Sequence, residues 1–240
     1  MPRSRVTVLS WIVAIAFVLA TILIYLDRLN LVATPPEFPE TATMVDRVLG
    51  SAEYRQAIWP VYLWTNLLFA IGFVAAVAFA AVVAAAPWAR GSLATFAALA
   101  TTGGIIGAIA SIMPIGEVDA AVWLGYCDCV SKESEVISQV WAQMVAHDIG
   151  VWFSRIASLV LAAGLVALAR DAGALLSPML RTWTYVLAIA LALWPLLAII
   201  QRTDPIAEEL ITAIAGLVLI PVWAVWLGRT VDRAGLAAPA

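Results

Sequence analysis

The sequence predicts an all-α polytopic integral membrane protein, a bundle of six transmembrane helices with two larger extracytoplasmic loops, the second holding an amphipathic helix. Residues 1–240 are expected to form a single membrane domain. Three observations carry this. The chain is 64% hydrophobic and 12% charged, whereas soluble domains run roughly 45–50% apolar and about 25% charged. A surface that faces lipid tails needs no charge, so both departures have one cause. Six apolar runs reach the roughly 20 residues needed to cross the hydrocarbon. The acidic residues gather on one side of those runs.

The predicted spans are Val6–Leu26, Pro60–Ala86, Ser92–Pro114, Val151–Ala169, Thr182–Ile200 and Glu208–Leu227. They are continuous and rich in Ala and Leu, not the short alternating segments of a β-barrel. A helix also satisfies its own backbone hydrogen bonds inside lipid. The first run follows the basic start Met1–Arg5. It is longer than a signal-peptide core and meets Asp27-Arg28 without a small-residue cleavage motif, so it is expected to be a retained helix.

An even number of crossings puts both termini on one side. That side holds Arg3, Arg5, Arg90, Arg170, Arg181, Arg229 and Arg233; the other holds Arg28, Arg47, Arg55, Lys132 and Arg202. Basic residues stay in the cytoplasm, so the protein is placed in the cell membrane with both termini cytoplasmic and its acidic loops extracytoplasmic. Trp11, Trp59, Trp88, Trp152, Trp183 and Trp226 fall near span ends, at headgroup depth. Trp64, Trp194 and Trp223 lie deeper and are read as packing residues.

The outer loop 27–59 opens extended, because Pro35, Pro36 and Pro39 oppose helix. Thr41 or Thr43 can cap a helix through Met44–Leu49, with Gly50-Ser51 expected to interrupt it. In the third span, Gly103, Gly107 and Ser111 form a small-residue face suited to close helix packing. Asn66 is expected to bond a neighbouring helix, and Pro195 and Pro221 to kink the last two spans.

The outer loop 115–150 is expected to be irregular over Gly116–Val122. From Ser134, Val136, Ile137, Val140, Trp141, Met144, Val145 and Ile149 recur at helical spacing. That amphipathic helix lacks the basic face of a surface-binding helix, so capping the bundle is the favoured reading. It can run on into the fourth span with a bend near Gly150.

The candidate chemistry is sparse. Arg155 lies about one turn inside the fourth span. Asp148 on its own helix face, Glu208 and Glu209 at the head of the sixth span, and Asp27 could complete a ligand or ion-pair pocket. A snorkelling Arg155, or a buried ion pair fixing helix order, is the favoured reading. Cys127 and Cys129 form a CxC, read first as a structural or incidental pair, with a strained disulfide acting in redox chemistry as the alternative. Two thiolates alone leave a zinc site half filled, so no metal is expected. His147, the single histidine, has no sequence-evident nucleophile to activate.

Glu208-Glu209 resembles the paired glutamates of the CAAX-type intramembrane proteases. Ala213 stands where that family's arginine belongs, and its further histidines are missing. No catalytic set and no cofactor is expected, and the balance falls against an enzyme. The net charge of −3 and the lack of a basic run exclude a nucleic-acid partner.

Three functions remain open. The first is a non-catalytic subunit, scaffold or sensor whose extracytoplasmic loops contact a partner. The second is a small transporter or carrier for an apolar or anionic molecule, with a pocket near Arg155. The third is an outer-facing thiol redox protein using Cys127 and Cys129. The expected partners are the lipid bilayer and either another membrane protein or a second copy of the chain.

Overall fold

Each apolar run folds as a helix, because a helix is the conformation in which a single segment pairs its own backbone groups away from water. The computed structural model describes residues 5–86, 93–126, 133–172, 176–200 and 206–237, with the side chains of 44–45, 48–53, 55–56, 116–126, 133–148, 198–200, 206–209 and 235–237 outside the description. The elements are α1 (Arg5–Arg28), α2 (Met44–Ala84), α3 (Ala94–Tyr126), α4 (Glu133–Asp171), α5 (Pro178–Ile200), α6 (Ile206–Ile214), a π-helical segment (Ala215–Leu219) and α7 (Ile220–Ala237). Six stretches are long and apolar enough to cross a membrane: Arg5–Arg28, Ala57–Ala84, Ala94–Ile115, Ile149–Asp171, Pro178–Leu197 and Leu210–Ala234. The protein is therefore an all-helical chain of multi-pass character, and α6, the π segment and α7 together make the sixth span.

Local chemistry sets the helix ends. Asn30 adopts φ 54° just past α1, a left-handed conformation that Asn tolerates better than most side chains. The Asn30 N–H reaches the Asp27 carbonyl at 2.8 Å and the Leu31 N–H reaches the Leu26 carbonyl at 3.0 Å, closing a Schellman motif. The extended segment through Pro35, Pro36 and Pro39 follows. Thr43 then starts α2 with a capping box: its hydroxyl accepts from the Asp46 N–H at 3.2 Å, and the Asp46 carboxylate accepts from the Thr43 N–H at 3.0 Å. These bonds hold the Asp46 carboxyl below its ordinary range, the side-chain bond to Thr43 contributing most.

Two expectations about the loops are corrected. Gly50-Ser51 does not interrupt α2, which is continuous over 41 residues. Gly116–Val122 is not irregular, since α3 continues through Pro114 to Tyr126. Neither glycine outweighs the cooperativity of a helix already nucleated within the apolar span.

The spans form a closed ring. Helix α1 packs on α2, α2 on α3, α3 on α4, α4 on α5, α5 on the sixth span, and the sixth span back on α1. Neighbours run antiparallel: Gly72 of α2 meets Phe17, Gly104 of α3 meets Val77, and Gly164 of α4 meets Leu99. The ring closes through glycines too. Gly228 abuts Ser10, and Gly216 lies so close to Thr21 that an added Cβ would collide with its hydroxyl. The Thr7 hydroxyl donates to the Asp232 carboxylate, so the start of α1 and the end of α7 share one end of the bundle.

Inside the ring, that terminal end is solid. Val13, Phe79, Val83, Leu168, Leu187 and Leu227 are buried in one cluster. Phe79 and Trp223 stack edge to face with centroids 6.1 Å apart. Trp223 thus packs as expected, and its indole N–H donates to the Thr184 hydroxyl at 3.1 Å. Trp64, by contrast, is 57% exposed on the outer surface of the ring, where lipid supplies its surroundings.

Candidate functional site

Toward the other end the inward positions carry small side chains. Ala110 and Ser111 on α3, Gly150, Ser154 and Ser158 on α4, Ala190 on α5 and Ala215-Gly216 in the π segment leave the ring hollow. The result is a cavity of about 400 Å³ reached by all six spans, with Phe69, Phe73 and Trp194 among its aromatic walls and Arg28, the last residue of α1, at its edge. This lies within the roughly 300–1,000 Å³ range of small-molecule sites.

Helix irregularities shape the cavity. Pro195 has no N–H, so the Leu191 carbonyl one turn earlier loses its backbone donor. The Ser158 hydroxyl of α4 supplies the replacement at 2.7 Å. That bond ties α4 to α5 along the cavity wall. In the sixth span the helix widens into the π segment directly before Pro221, with the Ile220 N–H reaching the Ala215 carbonyl. The Trp183 indole N–H bonds the Leu219 carbonyl at 3.2 Å and anchors the irregular turn to α5.

Four hydroxyls of the wall share one feature. Thr21 donates to the Phe17 carbonyl at 2.7 Å, Ser111 to Gly107 at 2.8 Å, Ser154 to Gly150 at 3.0 Å and Ser158 to Leu191. Each of these hydroxyl protons is committed to a backbone carbonyl, which leaves the oxygens of Ser111, Ser154 and Ser158 as acceptors at the wall, while the Thr21 oxygen abuts Gly216. Asn66 donates to the Tyr62 carbonyl of its own helix at 2.8 Å, not to a neighbouring helix as expected. Its side chain lines the cavity as well.

Of the residues the sequence singles out for a charged pocket, Arg155 and Asp27 have described side chains. Arg155 follows Ser154 but does not line the cavity. Its guanidinium carbon stands 5.1 Å from the centroid of the lipid-facing Trp152 ring, a cation–π contact. Its buried Nε has no hydrogen-bond partner. Asp27 accepts from the Tyr54 hydroxyl at 3.3 Å. Burial first, and then the Asp27 carboxylate, raise the Tyr54 phenol above its ordinary range. The side chains of Asp148, Glu208, Glu209 and His147 lie outside the described residues, as do Cys127 and Cys129 entirely.

Gly103 meets Leu161 and Ala157 of α4, Gly107 meets Phe73 of α2, and Ser111 reaches the cavity. The third span's small residues therefore bring its two neighbours close and open the space above. The signal that sequence reasoning passed over was Ser154 and Ser158, four residues apart on one face, in register with a proline on α5. The chain matches no family model, none of the curated proteins and no solved structure.

Proposed function

We propose that the chain is a small membrane carrier that takes an uncharged, largely apolar molecule bearing a hydrogen-bond donor into its interhelical cavity. One observation supports this above the rest: all six spans contribute to a single hollow lined mostly by carbon, aromatic rings and acceptor oxygens. A scaffold or structural subunit has no need of such a space, since large side chains could fill it as they do at the other end. Among the described lining residues no carboxylate enters the cavity, so a coupling ion would lack an anionic ligand there. A neutral guest requires none. Orientation follows the basic count: the termini are cytoplasmic, and the cavity faces the acidic loops outside.

Cysteine accessibility tests this reading. Cys127 and Cys129 are first replaced by serine, and Ser154→Cys or Leu187→Cys is introduced singly. A membrane-impermeant thiosulfonate added to intact cells should label Ser154→Cys and spare Leu187→Cys. N-phenyl-1-naphthylamine, apolar with one N–H donor, should slow the labelling. Equal silence at both positions, or labelling indifferent to the probe, would count against a ligand cavity. A fluorescent reporter joined to Ala240 should be active only in the cytoplasm.

A further inference from the structure

A second recess lies outside the ring, where α1 meets α7. It holds about 820 Å³ and is walled by Trp11, Ile15 and Leu19 on one side and Val222, Val225 and Trp226 on the other. Arg229 and Arg233 line its terminal end. They lie four residues apart, on the same helix face as Val222 and Trp226. Both guanidinium groups are exposed, and neither makes an ion pair among the described residues. The nearby Asp232 carboxylate is directed toward α1, where the Thr7 hydroxyl donates to it.

We propose that this groove binds a phospholipid with an anionic headgroup from the leaflet at the chain termini. The dimensions fit one leaflet. The sixth span runs Leu210–Ala234, which places Val222 at its middle. At 1.5 Å per residue, Arg229 then stands about 10 Å and Arg233 about 16 Å from the midplane. Half of a roughly 30 Å hydrocarbon core is about 15 Å. The apolar walls therefore cover acyl-chain depth, Arg233 stands at headgroup depth, and the long side chain of Arg229 can extend to it from about one turn deeper. A planar guanidinium suits bidentate phosphate contact. Trp11 and Trp226 flank the chain just below it. Lipid of any kind can cover apolar walls, but a net-anionic headgroup gains more from two unpaired cations at the end of the groove than a zwitterionic one, whose own ammonium offsets its phosphate.

The test uses the full chain in nanodiscs of equimolar phosphatidylglycerol and phosphatidylcholine, followed by native mass spectrometry of lipid that remains bound. Two arginines near the headgroups should favour phosphatidylglycerol by about thirtyfold. Arg229→Gln combined with Arg233→Gln should bring retention close to parity. Arg170→Gln, at the same end of the bundle, should leave the preference unchanged. A phosphatidylglycerol with a photoreactive acyl chain should cross-link the native protein within α1 and α7, whether or not the double variant folds. Equal retention of both lipids, an undiminished preference in the double variant, or cross-links confined to other helices would each overturn the proposal.

Discussion

The two ends of the ring are built from the same helices and differ in what those helices turn inward. Near the termini the inward positions carry Phe79, Leu168, Leu187 and Leu227, and the interior is solid. Near the loops they carry Gly150, Ser154, Ser158 and Gly216, and the interior is hollow. Lipid makes no demand that distinguishes these solutions, because both present apolar outer faces. The difference therefore lies in side-chain volume. Bulk closes the ring at one end, while small residues, a proline and a π segment hold it open at the other.

The largest effect that can sharpen this contrast is a truncation in the solid end. Phe79 is 1% exposed and packs against Trp223, so Phe79→Ala should lower stability by about 3–5 kcal/mol. Trp194→Ala, on the cavity wall, removes a larger ring yet enlarges a hollow already present. Its loss should be less than half as great. Thermal unfolding of the purified protein in detergent compares the two. Similar losses would show that the two ends are equally packed.

Next in size is the pair of glycines Gly216 and Gly150. A Cβ at Gly216 would collide with the Thr21 hydroxyl and force α1 away from the sixth span. Gly216→Ala should destabilise by about 1–3 kcal/mol, the usual penalty of overpacking. At Gly150 the nearest atom to a new Cβ is 3.8 Å away, on Met113. Gly150→Ala should be neutral, or stabilising by up to about 1 kcal/mol through helix propensity. Unfolding in mixed micelles measures both signs. If Gly150→Ala proved the more harmful, the cavity wall would be tighter than its geometry states.

These contrasts also explain what the sequence could and could not disclose. The six spans are legible because the bilayer imposes a length and an apolar composition on each. Val6–Leu26 and Thr182–Ile200 fall within the observed α1 and α5. The closed ring and its cavity are much less legible. In a soluble helix the inward face is apolar and the outward face polar; in lipid both are apolar, so polarity does not reveal which way a residue points. Arg155 is conspicuous in the sequence because charge is rare in a span, yet it packs beside Trp152, off the cavity wall. Ser158 was inconspicuous because its function depends on Pro195, 37 positions along the chain. Only the pairing of α4 with α5 brings the serine to the carbonyl that the proline strands.

That tie gives a smaller prediction. Ser158→Ala leaves the Leu191 carbonyl without a donor between two packed helices. Side-chain hydrogen bonds between membrane helices contribute about 0.6 kcal/mol on average and at most about 1.7, so the loss should fall in that range. Ser154→Ala breaks only a bond within α4 and should cost less. Amide exchange should rise in α5 for the Ser158 variant alone. A rise of equal size in both variants would mean that the tie is not specific to the proline.

The smallest effects belong to the segment that precedes the second span, where two titrations act at opposite ends of the pH scale. Asp46 has its pKa lowered in the folded chain by its bonds to Thr43. The stabilisation is therefore complete above the unfolded aspartate's pKa and is lost as the pH falls through the lower folded value. Tyr54 has its pKa raised, by burial and by Asp27. Its contribution is complete below the ordinary tyrosine pKa and is lost as the pH rises through the higher folded value. Amide protection factors over the first turns of α2 should accordingly fall at both extremes, and Asp46→Asn should abolish the acid limb while leaving the alkaline one. Among the described residues the core around Phe79 buries no titrating group, so protection factors there should stay flat across the same range. An acid limb that survived Asp46→Asn would assign the change to a different carboxylate.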